Sequence, residues 1–313
     1  MTKVAILGVG GISGAHIAAW KNQKDAEIIA ICDIRQEMLD KHPEYKGYTD
    51  FEEMTKNEEI DILDICLPTY LHVEYSLKGI EKGYHVLCEK PVSLHPEDAH
   101  KVYEAAKAKG VNFMIAHCVR FWDEFLRLKE IYESGEYGKL ISGYMFRLGC
   151  RPSWSWDGWM TDEKRSGLVP FDLHIHDLDF ITYAFGAPNS HTLYRAKRDD
   201  QDYLNCVYQY DDFFLSIESS WYAGKFNFQS GFRFQFEKAV VEYKGTLKEY
   251  LTDGKVINFV PKAAEESDME GIPTTNAYEN EIIYFKKCCQ DNVFPDLVKP
   301  EELKAVLDIL TSF

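Results

Sequence analysis

The stretch "KVAILGVGGISG", residues 3–14, carries four apolar residues (4–7) straight into a glycine-rich turn. An apolar run without polar alternation marks a strand covered on both faces, as in a parallel sheet. Gly8 and Gly10 fill the first two positions of a GxGxxG pattern, while Ser13 stands at the third and Gly14 follows it. The segment "ISGAHIAAWKNQ" then has helical spacing. Strand, glycine turn and helix in that order aim backbone N–H groups at the helix N-terminus, where a pyrophosphate is favoured. The loop residues Gly8, Gly10, Gly11, Ile12 and Ser13 are therefore candidates for a dinucleotide contact. A plain βα turn is the competing reading, and the flanking sequence has to decide.

Outward from that loop the pattern repeats. "AEIIAICDI", "IDILDICLP", "YHVLCEKP" and "VNFMIAHCVRF" read as further strands. "RQEMLDKHPEY", "YLHVEYSLKGIEKG" and "HPEDAHKVYEAAKAKG" read as the helices between them. Alternation of this kind predicts an α/β, Rossmann-type dinucleotide-binding domain, with ligands beyond the carboxyl ends of the strands. The loops to watch begin near Gly8, Asp33, Leu67, Glu89 and His117. Asp33 closes the second strand, 25 residues after Gly8. A carboxylate there can accept both ribose hydroxyls and repels a 2′-phosphate, which points to NAD. Arg35 can pair with a phosphate, so NADP stays as the lesser alternative.

Composition sets the outer bounds. Single cores stop growing near ~250–300 residues, so 313 residues predict two domains. We place them at 1–120 and 121–313, with the last helix packing back toward the first. A net charge of −16 repels phosphate backbones and argues against nucleic-acid binding. No apolar run approaches the ~20 residues that span a bilayer, and the N-terminus lacks a signal-peptide pattern. Eight cysteines without CxxC spacing read as reduced core residues of a cytoplasmic chain rather than a disulfide or metal framework.

The second half changes character. "LISGYMFRLG", "HTLYRAKR", "YLNCVYQY", "FFLSIESSW", "GFRFQFEK" and "AVVEYKG" alternate polar and apolar residues. They predict a C-terminal α+β domain with a large, mostly antiparallel, open-faced sheet. Aromatics on the uncovered face suit a core or a subunit interface.

Three segments now converge. The dinucleotide loop, the Pro-Thr-x-x-His segment (Pro68, Thr69, His72) and Glu-Lys-Pro at 89–91 together resemble the Gfo/Idh/MocA oxidoreductase family, which includes glucose–fructose oxidoreductases and inositol dehydrogenases. "SGLVPFDLHIHDLDFITYAFG" is similar to the family's second signature, a glycine-rich turn followed by Asp and, four later, His: here Asp172 and His176. "NAYENEIIYFKKCCQDNVFP" resembles its closing helix. The likeness runs from residue 3 to about 310. It departs at "SGLV", where three glycines are usual, and at the extra His174.

The resemblance implies that Lys90 is catalytic, that Glu89 lies near the nicotinamide ribose, and that Leu67, Pro68, Thr69 and His72 line the cofactor site. It implies His117, Arg120 and Tyr278 as pocket residues, and a homodimer or homotetramer through the C-terminal sheet. Asp172 and His176, spaced i,i+4, share a helix face and suit one substrate group. His-x-His with neighbouring acids also permits a metal reading, but residues i and i+2 share a face on a strand, not a helix. No metal is therefore expected. A histidine near pKa ~6.5 suits a base at neutral pH, whereas a lysine near ~10.4 suits stabilising a developing alkoxide. Hence His176 is read as base, Lys90 as polariser or proton relay, and Asp172 as their orienting group. Trp154, Trp156 and Trp159, with Arg147 and Arg151 nearby, can stack on and bind a sugar or cyclitol ring, or equally form an interface loop. An NAD-dependent dehydrogenase of a sugar, sugar derivative or cyclitol is the expected activity. A glycosidase or lyase using transient oxidation is the rival enzyme, and a non-catalytic dinucleotide-binding regulator the rival outside catalysis.

Overall fold

The computed structural model describes residues 1–261 and 276–313. These fall into two compact units, the first holding residues 1–118 and 277–304, the second 119–261, 276 and 305–313.

The first unit is a six-stranded parallel sheet. Its strands are β1 (Thr2–Leu7), β2 (Ala26–Cys32), β3 (Lys46–Tyr48), β4 (Ile62–Ile65), β5 (His85–Glu89) and β6 (Phe113–Ala116). They lie in the order β3-β2-β1-β4-β5-β6. That order reverses between β1 and β4, and a dinucleotide lies across such a switch point. All residues of β4 and β6 are buried, as the unbroken apolar runs demand. The connecting helices are α1 (Ser13–Lys21), α2 (Gln36–Leu39), α3 (Phe51–Asn57), α4 (His72–Lys82) and α5 (Glu97–Lys109).

Between β2 and β4 the structure departs from expectation. One long polar helix was expected over "RQEMLDKHPEY"; α2 is a single turn, and the short strand β3 and helix α3 follow. The Asp50 side chain caps α3 by accepting from the Glu53 amide at 2.8 Å. A capping Asp followed three residues later by Glu is a helix-start signal that the sequence does carry.

The second unit contains α6 (Asp123–Ser134), β7 (Leu140–Cys150), α7 (Glu163–Ser166), α8 (Ile175–Phe185) and the strands β8 (Ser190–Lys197), β9 (Asp202–Gln209), β10 (Phe214–Tyr222), β11 (Gln229–Phe236), β12 (Ala239–Tyr243), β13 (Leu247–Leu251) and β14 (Val256–Asn258). The strands form one sheet in the order β14-β13-β12-β11-β7-β10-β9-β8. Among the described residues of this sheet only β7 and β10 pair in parallel; the other neighbours are antiparallel. The sheet therefore has two strands beyond the six read from sequence. Residues such as Met145, Leu204, Ile217, Phe232 and Phe234 on one face are buried. The alternate positions leave Tyr194, Tyr203 and Phe214 exposed.

The closing helix α9 (Ala277–Gln290) belongs to the first unit, as does the start of α10 (Pro300–Leu310). The expected division at residue 120 had the last helix packing back toward the first domain; by contacts, 277–304 group with the first unit. The reason is local bonding. Lys286 Nζ donates to Gln23 Oε1 at 3.0 Å and to Asp25, and Gln290 donates to Asp25 at 2.9 Å. Tyr103 Oη donates to the Val298 carbonyl at 2.9 Å, and Asn112 to the Val293 carbonyl at 2.9 Å.

Candidate active site

The glycine loop leaves β1 at Gly8, whose φ of +93° lies in the left-handed region. A Cβ there would sit 2.7 Å from the Cys66 carbonyl oxygen, so no other residue fits against the end of β4. At Gly10 an added Cβ meets nothing within 4 Å. The first position thus demands glycine for packing, and the second leaves backbone open to an approaching phosphate. Ser13, in place of the third glycine, is buried and closes the loop by donating to the Gly10 carbonyl at 2.7 Å. Gly11 is exposed and Ile12 half-buried beside it.

Asp33 ends β2 as expected, and its carboxylate is fully engaged. It accepts from the Val9 amide at 2.9 Å, which ties it to the glycine loop. It also accepts from the Arg35 amide at 3.0 Å and from the Arg35 guanidinium twice at 2.9 Å. A ribose diol must therefore displace Arg35 to reach the carboxylate.

At the end of β4, Leu67 and Pro68 are half-buried and Thr69 buried. His72 is 1% exposed, with Nδ1 2.6 Å from the Pro91 carbonyl and Nε2 2.7 Å from that of Leu67. Its ring, expected from sequence to line the cofactor site, bridges the loops after β4 and β5. Burial pushes its pKa below the ordinary value despite the two carbonyls.

Lys90 is the first residue past β5 and is half-buried. The Glu89 carboxylate does not face outward: Oε1 contacts His16 Nε2 at 3.0 Å, and Oε2 accepts from the Lys90 amide at 3.0 Å. His117, just past β6, is 1% exposed. Tyr278 on α9 lies with its ring 6.1 Å from that of His16.

In the second unit, one turn of π-helix at Pro170–His174 leads into α8. Such turns recur at functional sites. It is preceded by Leu168 at φ +58°, a strained conformation for leucine that costs about 1–3 kcal/mol. Packing of Leu168 among Val169, Leu204 and Trp221 holds it there, where a glycine would need no such support. The polar residues of "DLHIHDLD" then divide cleanly. His174 is fully buried between Ser219 Oγ (2.9 Å) and Tyr208 Oη (2.7 Å), and burial pushes its pKa down to about 3. Both of its ring nitrogens are taken up by these hydroxyls. Asp177 pairs with Arg147 at 2.9 Å, and Asp179 with Arg120 at 2.7 Å. Both arginines are under 5% exposed. Arg120 and Arg147, read from sequence as substrate residues, each pair here with an aspartate of α8. Asp172 and His176 remain as the half-buried pair, with Trp221 Nε1 donating to Asp172 at 3.2 Å. Trp159 is half-buried, while Trp154 is 69% exposed.

Sequence reasoning missed His16 and Asp64. His16 Nδ1 lies 2.9 Å from Asp64 Oδ2, and Trp20 Nε1 donates to the same oxygen at 2.7 Å. His16, Asp64 and Cys66 stand close enough to suggest metal ligands, all within 4.8 Å. However, both His16 nitrogens face carboxylates, and burial pushes the Cys66 thiol up to about 12. A shared-proton cluster fits this chemistry better than a metal site.

Comparison with known proteins matches residues 2–117 to a family described as an oxidoreductase family with an NAD-binding Rossmann fold, and residues 125–242 to its GFO/IDH/MocA C-terminal domain. The chain is 28% identical over 243 residues to D-glucoside 3-dehydrogenase of Escherichia coli, covering 73% of this chain and 67% of that one. It is 30% identical over 188 residues to myo-inositol 2-dehydrogenase of Thermotoga maritima, covering 59% of this chain and only 55% of that one. An oxidoreductase from Agrobacterium radiobacter, solved with NAD+, L-tartaric acid and magnesium, superposes with a TM-score of 0.82 at 16% identity, over 99% of this chain and 94% of that one.

Proposed function

Because the chain belongs to the Gfo/Idh/MocA oxidoreductase family and its first unit is an NAD-binding Rossmann domain, we propose that it transfers a hydride between nicotinamide and a secondary hydroxyl of a sugar, sugar derivative or cyclitol. The observation that carries the reading is the carboxyl edge of the first sheet, where the open Gly10 backbone, Asp33 and Lys90 follow β1, β2 and β5. Bound at that edge by residues 8–13 and Asp33, with Leu67, Pro68 and Thr69 beside them, the dinucleotide supplies the hydride acceptor. His176 takes the hydroxyl proton, Lys90 stabilises charge growing on the alkoxide oxygen, and Asp172 orients His176. His117 and Tyr278 in the first unit, and Trp159 in the second, are the further substrate-contact candidates. No described helix is long and apolar enough to cross a membrane, and the reduced cysteines fit a cytoplasmic setting. The exposed aromatic face of the second sheet is the surface through which the chain forms a homodimer or homotetramer, a state that sedimentation would register as a mass above 36.2 kDa.

The test is a panel of inositols, aldoses and glycosides with NAD or NADP, followed at the nicotinamide absorbance. Reduced cofactor should accumulate in step with ketone, and NAD should bind more tightly than NADP. Asp33→Ser should narrow that preference, since Arg35 is then released from its carboxylate partner to meet a 2′-phosphate. Equal or tighter NADP binding by the parent removes the cofactor assignment. Product release without net NADH favours the oxidation–elimination–reduction rival. Dinucleotide binding with no turnover across the panel favours the regulator.

A further inference from the structure

We propose that His16 is a positioning residue for Lys90, acting through a buried chain that runs Trp20–Asp64–His16–Glu89 to the Lys90 amide. This rests on the role given to Lys90 above and extends it to residues outside every motif. The chain is continuous: Trp20 Nε1 to Asp64 at 2.7 Å, Asp64 to His16 Nδ1 at 2.9 Å, His16 Nε2 to Glu89 at 3.0 Å, and Glu89 to the Lys90 N–H at 3.0 Å. Its four residues come from α1, β4 and β5 and are at most 6% exposed.

Lys90 is where the sheet lets go. The ladder between β5 and β6 stops at Glu89 opposite Ala116, and Pro91 next has no N–H to anchor. The Glu89 carboxylate therefore supplies an anchor for the Lys90 amide that the ladder does not. A carboxylate on a flexible side chain fixes that amide only if its other oxygen is itself fixed, and His16 does this. Asp64 in turn holds the ring with both oxygens, at 3.0 and 2.9 Å.

The electrostatics agree with the geometry. Burial opposes a charge on His16, but Asp64 and Cys66 together outweigh it and hold the ring well above the usual histidine value. Burial would raise the Glu89 carboxyl, yet the His16 bond and charge, with Lys90, bring it below the usual value. Cys66, Tyr278 and His72 are the other titratable groups beside them. Buried ion pairs contribute little net stability over apolar packing of the same volume. Position is what this arrangement supplies.

Two measurements on the full chain test it. The first is turnover with the best member of the panel above. His16→Leu should lower kcat about 10²-fold, the scale of a ~1 Å misplacement, with the KM for NAD nearly unchanged. His16→Gln, which keeps one donor, should recover about tenfold of that loss. In a Lys90→Met background, His16→Leu should cost less than about threefold, since residues acting as a unit are not additive. The second needs neither cofactor nor substrate. Lysines are reductively methylated with 13C, and the Lys90 signal is identified by its loss in Lys90→Met. It should shift in His16→Leu and return toward the parent position in His16→Gln, with the other lysine signals unmoved. An equal cost of His16→Leu in both backgrounds, or an unmoved Lys90 signal, overturns the proposal and leaves His16 a packing residue. Near-parent turnover of Lys90→Met instead removes the catalytic role of Lys90, and the 13C signal still decides whether His16 places it.

Discussion

Lys90→Met and His176→Ala should each reduce turnover by about 10²–10⁴-fold, the usual share of a general acid–base group, while leaving NAD affinity within a factor of about two. The reasoning separates binding from chemistry. On the proposed reading the pyrophosphate and ribose contacts reside in the glycine loop and at Asp33, whose carboxylate accepts from the Val9 amide and Arg35. Removing either catalytic side chain therefore leaves those contacts in place. The two losses should differ in pH dependence. A base must be unprotonated to act, so oxidation by the parent falls as pH drops through its pKa. His176→Ala should abolish that neutral limb, and Lys90→Met should keep it at lower amplitude. Stopped-flow turnover across pH checks this. A limb that disappears only in Lys90→Met exchanges the two roles, and near-parent rates in either variant would falsify the site.

The second large effect is one of stability. Arg120→Met leaves Asp179 buried at 0% exposure without the guanidinium that binds it twice, at 2.8 and 2.7 Å. Breaking a buried pair from one side costs about 3–5 kcal/mol. The guanidinium also stacks on Tyr183, 4.8 Å from the ring centre, and that contact goes too. At about 2–4 °C per kcal/mol for a unit of this size, Tm should fall by roughly 6–20 °C. Adding Asp179→Leu should restore much of the loss, because replacing both partners removes the stranded charge. Calorimetry decides between this and the substrate-binding reading, under which Arg120→Met raises KM and leaves Tm alone.

The contrast between these residues shows what was legible in the sequence. The strands β1, β2, β4, β5 and β6 were readable because a strand buried on both faces has an unbroken apolar run. β3 was not: only Tyr48 of its three residues is buried, so it has no pattern to read. β13 alternates, but its inward position 249 is a glutamate that Arg127 satisfies at 2.8 Å, and a buried acid hides a strand's apolar face. Lys90, Asp172 and His176 stood out because their neighbours form recognisable motifs. The pairing of Arg120 and Arg147 was hidden because an arginine near a candidate pocket looks the same whether it meets a substrate or an aspartate. Their partners, Asp177 and Asp179, lay in view in the same motif, but pairing across 30 and 59 residues is a tertiary fact. His16 looked like one histidine in an amphipathic helix. Only the position of Asp64 inside an otherwise apolar strand hinted at a buried partner.

The return of α9 to the first unit bears on how the chain is made. At a synthesis rate of about 5–20 residues per second, the helix that holds Gln23 and Asp25 emerges on the order of 10–30 s after the sixth strand. During that interval the ribosome presents a nearly complete nucleotide-binding sheet whose α1 side still lacks its cover. The second unit, contiguous from residue 119 to 261, suffers no such delay until its last few residues. The half of the protein made first is thus the half finished late, and nascent chains stalled before residue 277 are the ones most exposed to chaperones and proteases.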